Sequence, residues 1–111
     1  MKNILFVCSA NKQRSKTAED YFSAKLPEFN FLSAGTNQKI CEQEGTVFLT
    51  EDLIEWADMV LVMEEDHRKQ IRNYLKSKFR RKINILNISD KYKYYDKELI
   101  KLLEEKTKKY F

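Results

Sequence analysis

Asn3-Ile4-Leu5-Phe6-Val7-Cys8-Ser9-Ala10-Asn11-Lys12-Gln13-Arg14-Ser15 is the stretch from which the fold can be read. Its first five residues are a nearly unbroken apolar run with β-branched and aromatic members, the mark of a strand buried on both faces. From Ser15 to Leu26 the spacing changes: Ala18, Tyr21, Phe22, Lys25 and Leu26 fall near a 3.6-residue period, which predicts a helix. The polar residues Cys8 to Ser15 then form a connection from the end of a central strand into the start of a helix.

The same alternation continues along the chain. Phe29 to Ala34 is a second short strand, closed by Gly35-Thr36, and Glu51 to Trp56 is a short helix capped by Thr50, with two acids in its first turn. Asp58 to Met63 is a third buried strand, and Asp66 to Phe79 a helix with Ile71, Tyr74, Leu75 and Phe79 on one face. Ile83 to Ile88 alternates Ile and Asn, as expected of a strand at a sheet edge. Asp96 caps a last helix carrying Leu99, Ile100, Leu102, Leu103 and Tyr110. Strand–helix alternation predicts an α/β fold with a parallel sheet and right-handed crossovers. Ligands in such sheets bind beyond the carboxyl ends of the strands, where the winding reverses. The candidate loops are therefore Cys8 to Ser15, Gly35 onward, Glu64-Glu65 and Ser89 to Tyr95.

Composition narrows the function classes. A chain of 111 residues, 42% hydrophobic and 34% charged, with Gly35, Gly45 and Pro27 as its breakers, is expected to form one domain over residues 1–111. No apolar run approaches the roughly 20 residues of a membrane span, and the apolar start is too short for a signal-peptide core, so the expected compartment is the cytoplasm and no membrane partner is expected. His67 is the single histidine, and Cys8 and Cys41 are the two cysteines, too few for a Cys/His zinc cluster. In a reducing compartment both thiols are expected to be free. The net charge of +4 permits an acidic or nucleic-acid partner without requiring one. The basic run Lys76, Lys78, Arg80, Arg81 and Lys82 is taken as a solvated connection rather than a nucleic-acid surface.

The first loop carries chemistry. A cysteine, five residues and an arginine followed by a serine suit phosphoryl transfer, because a loop curling into a helix N-terminus aims consecutive backbone N–H groups at one point. That arrangement holds a phosphate dianion and favours an anionic sulfur at Cys8. Arg14 can grip two phosphate oxygens side by side, and Ser15 can donate to the sulfur. The expected phosphate-binding set is Ser9, Ala10, Asn11, Lys12, Gln13, Arg14 and Ser15. Asn11 braces the loop, while Lys12 adds positive charge at its mouth.

Leu5-Phe6-Val7-Cys8 followed by Asn11, Arg14, Ser15 and Ala18-Glu19 resembles the signature of low-molecular-weight protein tyrosine phosphatases. Ser33-Ala34-Gly35-Thr36 is similar to the segment closing that family's second strand, and Glu55-Trp56-Ala57-Asp58 through Val62-Met63-Glu64 to its third. The resemblance spans nearly the whole chain in a short bacterial form. It implies a doubly wound, four-stranded parallel sheet of order 2-1-3-4 with helices on both faces. It also implies a phosphatase acting on phosphotyrosine proteins or small aryl phosphates, with inorganic phosphate or sulfate able to occupy the loop and no cofactor or metal required. The sequence departs from the pattern at Ala10 (commonly Gly), Gln13 (often a second Cys) and Lys16 (usually Pro).

A phenolate leaving group needs a proton, and a cysteinyl-phosphate needs activated water; one carboxyl group serves both in turn. Asp90, in Ile88-Ser89-Asp90-Lys91-Tyr92, looks like the family's acid loop with Lys91 in place of Pro. Tyr92 is the expected substrate-binding aromatic, with Tyr94 and Tyr95 as further candidates. Asp96 is the rival acid, better explained as a helix cap. Cys41 is expected to be inert, and His67 to be remote from the site on a solvated helix face. Three alternatives stay open at this level: a non-catalytic phosphate- or nucleotide-binding module, an arsenate reductase, and a phosphocysteine carrier. The last has no need of Arg14.

Overall fold

A computed structural model describes residues 2–75 and 82–111. The elements run β1 (Asn3–Cys8), α1 (Arg14–Lys25), β2 (Asn30–Gly35), α2 (Gln38–Glu44), α3 (Glu51–Trp56), β3 (Met59–Val62), α4 (Glu65–Leu75), β4 (Ile83–Ile85) and α5 (Lys97–Thr107). All three strand pairings are parallel, and the order is β2-β1-β3-β4, as the resemblance implied.

The pleat of β1 explains the layers. Ile4, Phe6 and Cys8 face one side, where Ala18 and Phe22 of α1, Leu99 and Leu103 of α5, and Phe31, Leu61 and Met63 complete a core. Leu5 and Val7 face the other side, against Ile54 of α3, Ile71 of α4, and Leu49, Val60 and Val62. Alternate side chains of one strand thus serve two cores, and every apolar residue of β1 is sealed from solvent. Helices cover both faces of the sheet.

Three expectations change at the level of elements. The fourth strand ends at Ile85 rather than Ile88; Leu86 and Ile88 still bury their side chains and donate their N–H groups to the carbonyls of Val62 and Met63, both at 2.8 Å, but Asn87 between them turns to a φ of 58° and breaks the regular ladder. A helix absent from the sequence reading, α2, lies between β2 and α3. Its signals were present, since Asn37 accepts from Ile40 N–H at its start and Gly45 takes the left-handed conformation at its end. The predicted extension of the helix after β3 to Phe79, and most of the basic run, lie outside the described residues. Lys82 is no solvated charge: its Nζ donates to the carbonyls of Ile54 and Ala57 at the end of α3, at 2.9 and 2.8 Å. Among the described residues no helix is long and apolar enough to cross a membrane.

Candidate active site

β1 is the inner strand from which the winding runs in both directions, so its carboxyl end opens into a crevice. The loop leaving it is braced from behind. Thr36 N–H donates to the carbonyl of Cys8 at 2.9 Å, Asn37 N–H to that of Ser9 at 3.0 Å, and Thr46 Oγ1 to that of Ala10 at 2.6 Å. Among the described residues no peptide is cis, and in a trans peptide each N–H lies opposite its carbonyl. With those three carbonyls engaged on the β2–α2 side, the N–H groups of Ser9, Ala10 and Asn11 are turned the other way. Gly35 makes the close approach possible, because a Cβ there would stand 2.5 Å from the Ser9 carbonyl oxygen and 2.6 Å from Cys41 Sγ.

Asn11 sets the curl. It is buried in the left-handed conformation at φ 54°, which asparagine tolerates better than most residues. Its Nδ2 donates to Ser15 Oγ at 2.9 Å and Ser33 Oγ at 2.8 Å, and its Oδ1 accepts from Val47 N–H at 3.2 Å. Ser33 Oγ in turn donates a hydrogen bond to Glu19 Oε1. Ser15 Oγ stands 2.9 Å from Cys8 Sγ, and because Asn11 already fills one of its lone pairs, its proton is available to the sulfur. Cys8 is 3% exposed and belongs to a hydrophobic core, yet it also lines a small pocket with Ser9, Ala10, Lys12, Gln13, Arg14 and Asp90.

Arg14, 4% exposed, crosses this pocket from the first position of α1. Its Nη1 donates to Glu64 Oε2 at 2.5 Å and to the Ile88 carbonyl at 2.8 Å. Both bonds use Nη1, which leaves the Nε–Nη2 edge for a bidentate contact with an oxyanion. Gln13, at the N-cap of α1, contributes no side-chain cap.

The loop thus brings Cys8, Ser9, Ala10, Lys12, Gln13 and Arg14 together with Asp90, an exposed residue that arrives from the segment after β4. Asn11 and Ser15 stand behind the loop rather than in the pocket. Tyr92 is not brought into that lining: it is half-buried against the core, with Lys91 Nζ 5.4 Å from its ring centre. Tyr94 bonds Asp20, which pushes its phenol up to about 12, and Tyr95 N–H donates to the buried Thr17 Oγ1 at 2.9 Å. Asp96 caps α5 by accepting from Glu98 N–H. Lys12, at the rim, pairs with Glu44 of α2 at 2.5 Å.

The largest correction concerns His67. It is neither remote nor solvated, being 2% exposed with Nε2 3.0 Å from Ser9 Oγ and Nδ1 accepting from Glu64 N–H at 3.1 Å. Burial, and secondarily the Arg14 guanidinium, lower its ionisation from 6.5 to about 4. Helical side chains lean toward the helix N-terminus, so a residue in the first turn of α4 leans back over the end of β3, beside the loop. That geometric signal could have placed His67, and the position of Glu64 just past β3 could have suggested it as the partner of Arg14.

The fold, with its crevice at the carboxyl edge of β1, is similar to that of solved tyrosine phosphatases of the low-molecular-weight kind. Solved structures carry this. The tyrosine phosphatase AmsI of Erwinia amylovora matches at 26% identity and a TM-score of 0.77, over 98% of this chain and 90% of its own. Wzb of Escherichia coli K30, a tyrosine phosphatase solved with phosphate, matches at 25% identity and a TM-score of 0.76, over 98% and 95%. The YwlE arginine phosphatase of Geobacillus stearothermophilus shares the fold at 22% identity and a TM-score of 0.75, over 98% and 92%. No family model matches the sequence, and no curated protein does.

Proposed function

We propose that this chain is a phosphatase that hydrolyses phosphotyrosine or small aryl phosphate monoesters through a cysteinyl-phosphate on Cys8. The observation that carries the reading is a sulfur 2.9 Å from a hydroxyl on the floor of a pocket walled by Arg14 and Asp90. Cys8 Sγ attacks phosphorus as the bond to the leaving oxygen breaks, and Asp90 gives that oxygen its proton. The amides of the phosphate-binding loop and the free edge of Arg14 stabilise the charge spread over the equatorial oxygens. Water then attacks phosphorus, Asp90 takes its proton, and inorganic phosphate and the free thiolate are regenerated.

Catalysis is favoured over simple phosphate binding by Asp90, since a passive cradle has no use for an acid at its mouth. Arsenate reduction is disfavoured by Cys41, which is 1% exposed with its sulfur against the carbonyls of Ser9, Ala10 and Val47, poorly placed to take over a disulfide. The test is turnover of p-nitrophenyl phosphate by the wild type and by Cys8→Ser. Turnover by the wild type, abolished in the variant while phosphate still binds, is the expected result; full activity in the variant removes Cys8 as nucleophile. Phosphotyrosine and phosphoarginine peptides supplied side by side decide the substrate class, and preference for phosphoarginine would overturn the aryl assignment.

A further inference from the structure

We propose that His67 is a positioning residue which fixes the Ser9 hydroxyl so that Ser9 donates its proton to the bound phosphoryl group. The inference rests on the phosphatase reading and adds a donor to its phosphate site.

The tautomer of His67 follows from its neighbours. Glu64 N–H donates to Nδ1 at 3.1 Å, so Nδ1 carries no proton and Nε2 of the neutral ring carries one. Nε2 therefore donates to Ser9 Oγ across 3.0 Å. A serine hydroxyl has one proton to give. With its oxygen engaged as an acceptor, and with His67 its one hydrogen-bond partner among the described residues, that proton is free to turn elsewhere. The open direction is the pocket of about 170 Å³ that Ser9 lines with Cys8, Arg14 and Asp90.

The same geometry excludes a different role. His67 has no lone pair facing Ser9, so it cannot deprotonate the hydroxyl, and Ser9 acts as a hydrogen-bond donor rather than a second nucleophile. Glu64 makes the arrangement a unit. Its backbone N–H sets the imidazole tautomer, while its carboxylate holds Arg14 Nη1 at 2.5 Å. One residue after β3 thus aligns two donors from the β1–α1 loop.

The experiment compares wild type, Ser9→Ala, His67→Asn and the double variant. Binding of inorganic phosphate is followed by calorimetry, and kcat/KM is measured on p-nitrophenyl phosphate. The Oδ1 of Asn can stand where Nδ1 accepts from Glu64, but Asn is too short to reach Ser9. Each single change should weaken phosphate binding and lower kcat/KM by about ten- to a hundredfold, the range of a hydrogen bond to a charged group. The double variant should be no worse than the worse single, and His67→Gln and Ser9→Thr should recover part of the loss. Phosphate affinity within twofold of wild type in Ser9→Ala, or losses that multiply in the double variant, would overturn the proposal. If His67→Asn folds poorly, nitrogen shifts of the wild-type imidazole decide it: a proton on Nδ1 refutes the arrangement and one on Nε2 supports it. Wild type that binds phosphate but turns nothing over would sink the phosphatase reading and leave the binding comparison intact. Active wild type with an indifferent Ser9→Ala would do the reverse.

Discussion

Replacing Asn11 by Asp tests whether the proton of Ser15 serves the Cys8 sulfur. The variant keeps the size of the side chain, its tolerance of the left-handed φ of 54°, and the Oδ1 that accepts from Val47 N–H. What changes is Nδ2, the donor to Ser15 Oγ at 2.9 Å and Ser33 Oγ at 2.8 Å, which becomes an acceptor. Ser33 already gives its proton to Glu19, so Ser15 is the hydroxyl free to satisfy the new carboxylate, and it must turn from Cys8 Sγ to do so. Two hydrogen bonds lost at about 1 kcal/mol each give roughly 2 kcal/mol of destabilisation, read by urea denaturation. Withdrawing a donor from the sulfur that attacks in the proposed mechanism removes about 1.5–3 kcal/mol from the reacting state, a fall of about ten- to a hundredfold in kcat/KM on an aryl phosphate. Ser15→Ala should lose a similar amount, and Asn11→Asp added to it should cost less than tenfold more. Turnover within threefold of wild type in Asn11→Asp, or full multiplication of the two losses, would refute the relay from Asn11 through Ser15 to Cys8.

Asp90→Ala should slow turnover by about 10² to 10⁴-fold for poorly leaving phenols and far less for p-nitrophenol; equal slowing across a leaving-group series would remove the acid assignment. Gly35→Ala forces a methyl to 2.5 Å from the Ser9 carbonyl and 2.6 Å from Cys41 Sγ, and should cost about 1–3 kcal/mol in urea denaturation together with lost phosphate affinity. Unchanged stability would mean that the loop yields freely. His67 makes stability depend on acid: the unfolded chain takes up its proton near 6.5 and the folded chain at about 4, so stability present above 6.5 is lost as pH falls through that window. At about 1.4 kcal/mol per pH unit this amounts to about 3 kcal/mol, and the urea midpoint of His67→Asn should fall less steeply there than that of the wild type.

The layers were legible because β1 is apolar on both faces and the helices keep their period, and these patterns depend on burial, which sequence records directly. The β1–α1 loop was legible because its residue types and spacing are set by the anion they would hold. Less visible were contacts made across the crevice. The expected order already set β3 beside β1, but a histidine followed by Arg68 and Lys69 looks solvated unless the backward lean of a first-turn side chain toward the loop is weighed as well. Glu64 was already on a candidate loop at the same sheet edge, but nothing in its residue type singled it out from Glu65 as the partner of Arg14. Tyr92 lies against the core rather than in the lining around Cys8; an aromatic after an acid fits a packed position as well as a binding one, and side-chain direction outside regular structure has no period to reveal it. α2 was overlooked because seven mostly polar residues carry little apolar rhythm, although both of its caps were in plain view.

The bonds from Thr36, Asn37 and Thr46 to the carbonyls of Cys8, Ser9 and Ala10 mean that the cradle is assembled before any anion arrives. Little ordering entropy is then left for binding to overcome. Changes on the far side of the loop, at residues that never meet a substrate, would surface as altered affinity, and homologues could tune their grip on phosphate from behind while leaving every group inside the crevice untouched.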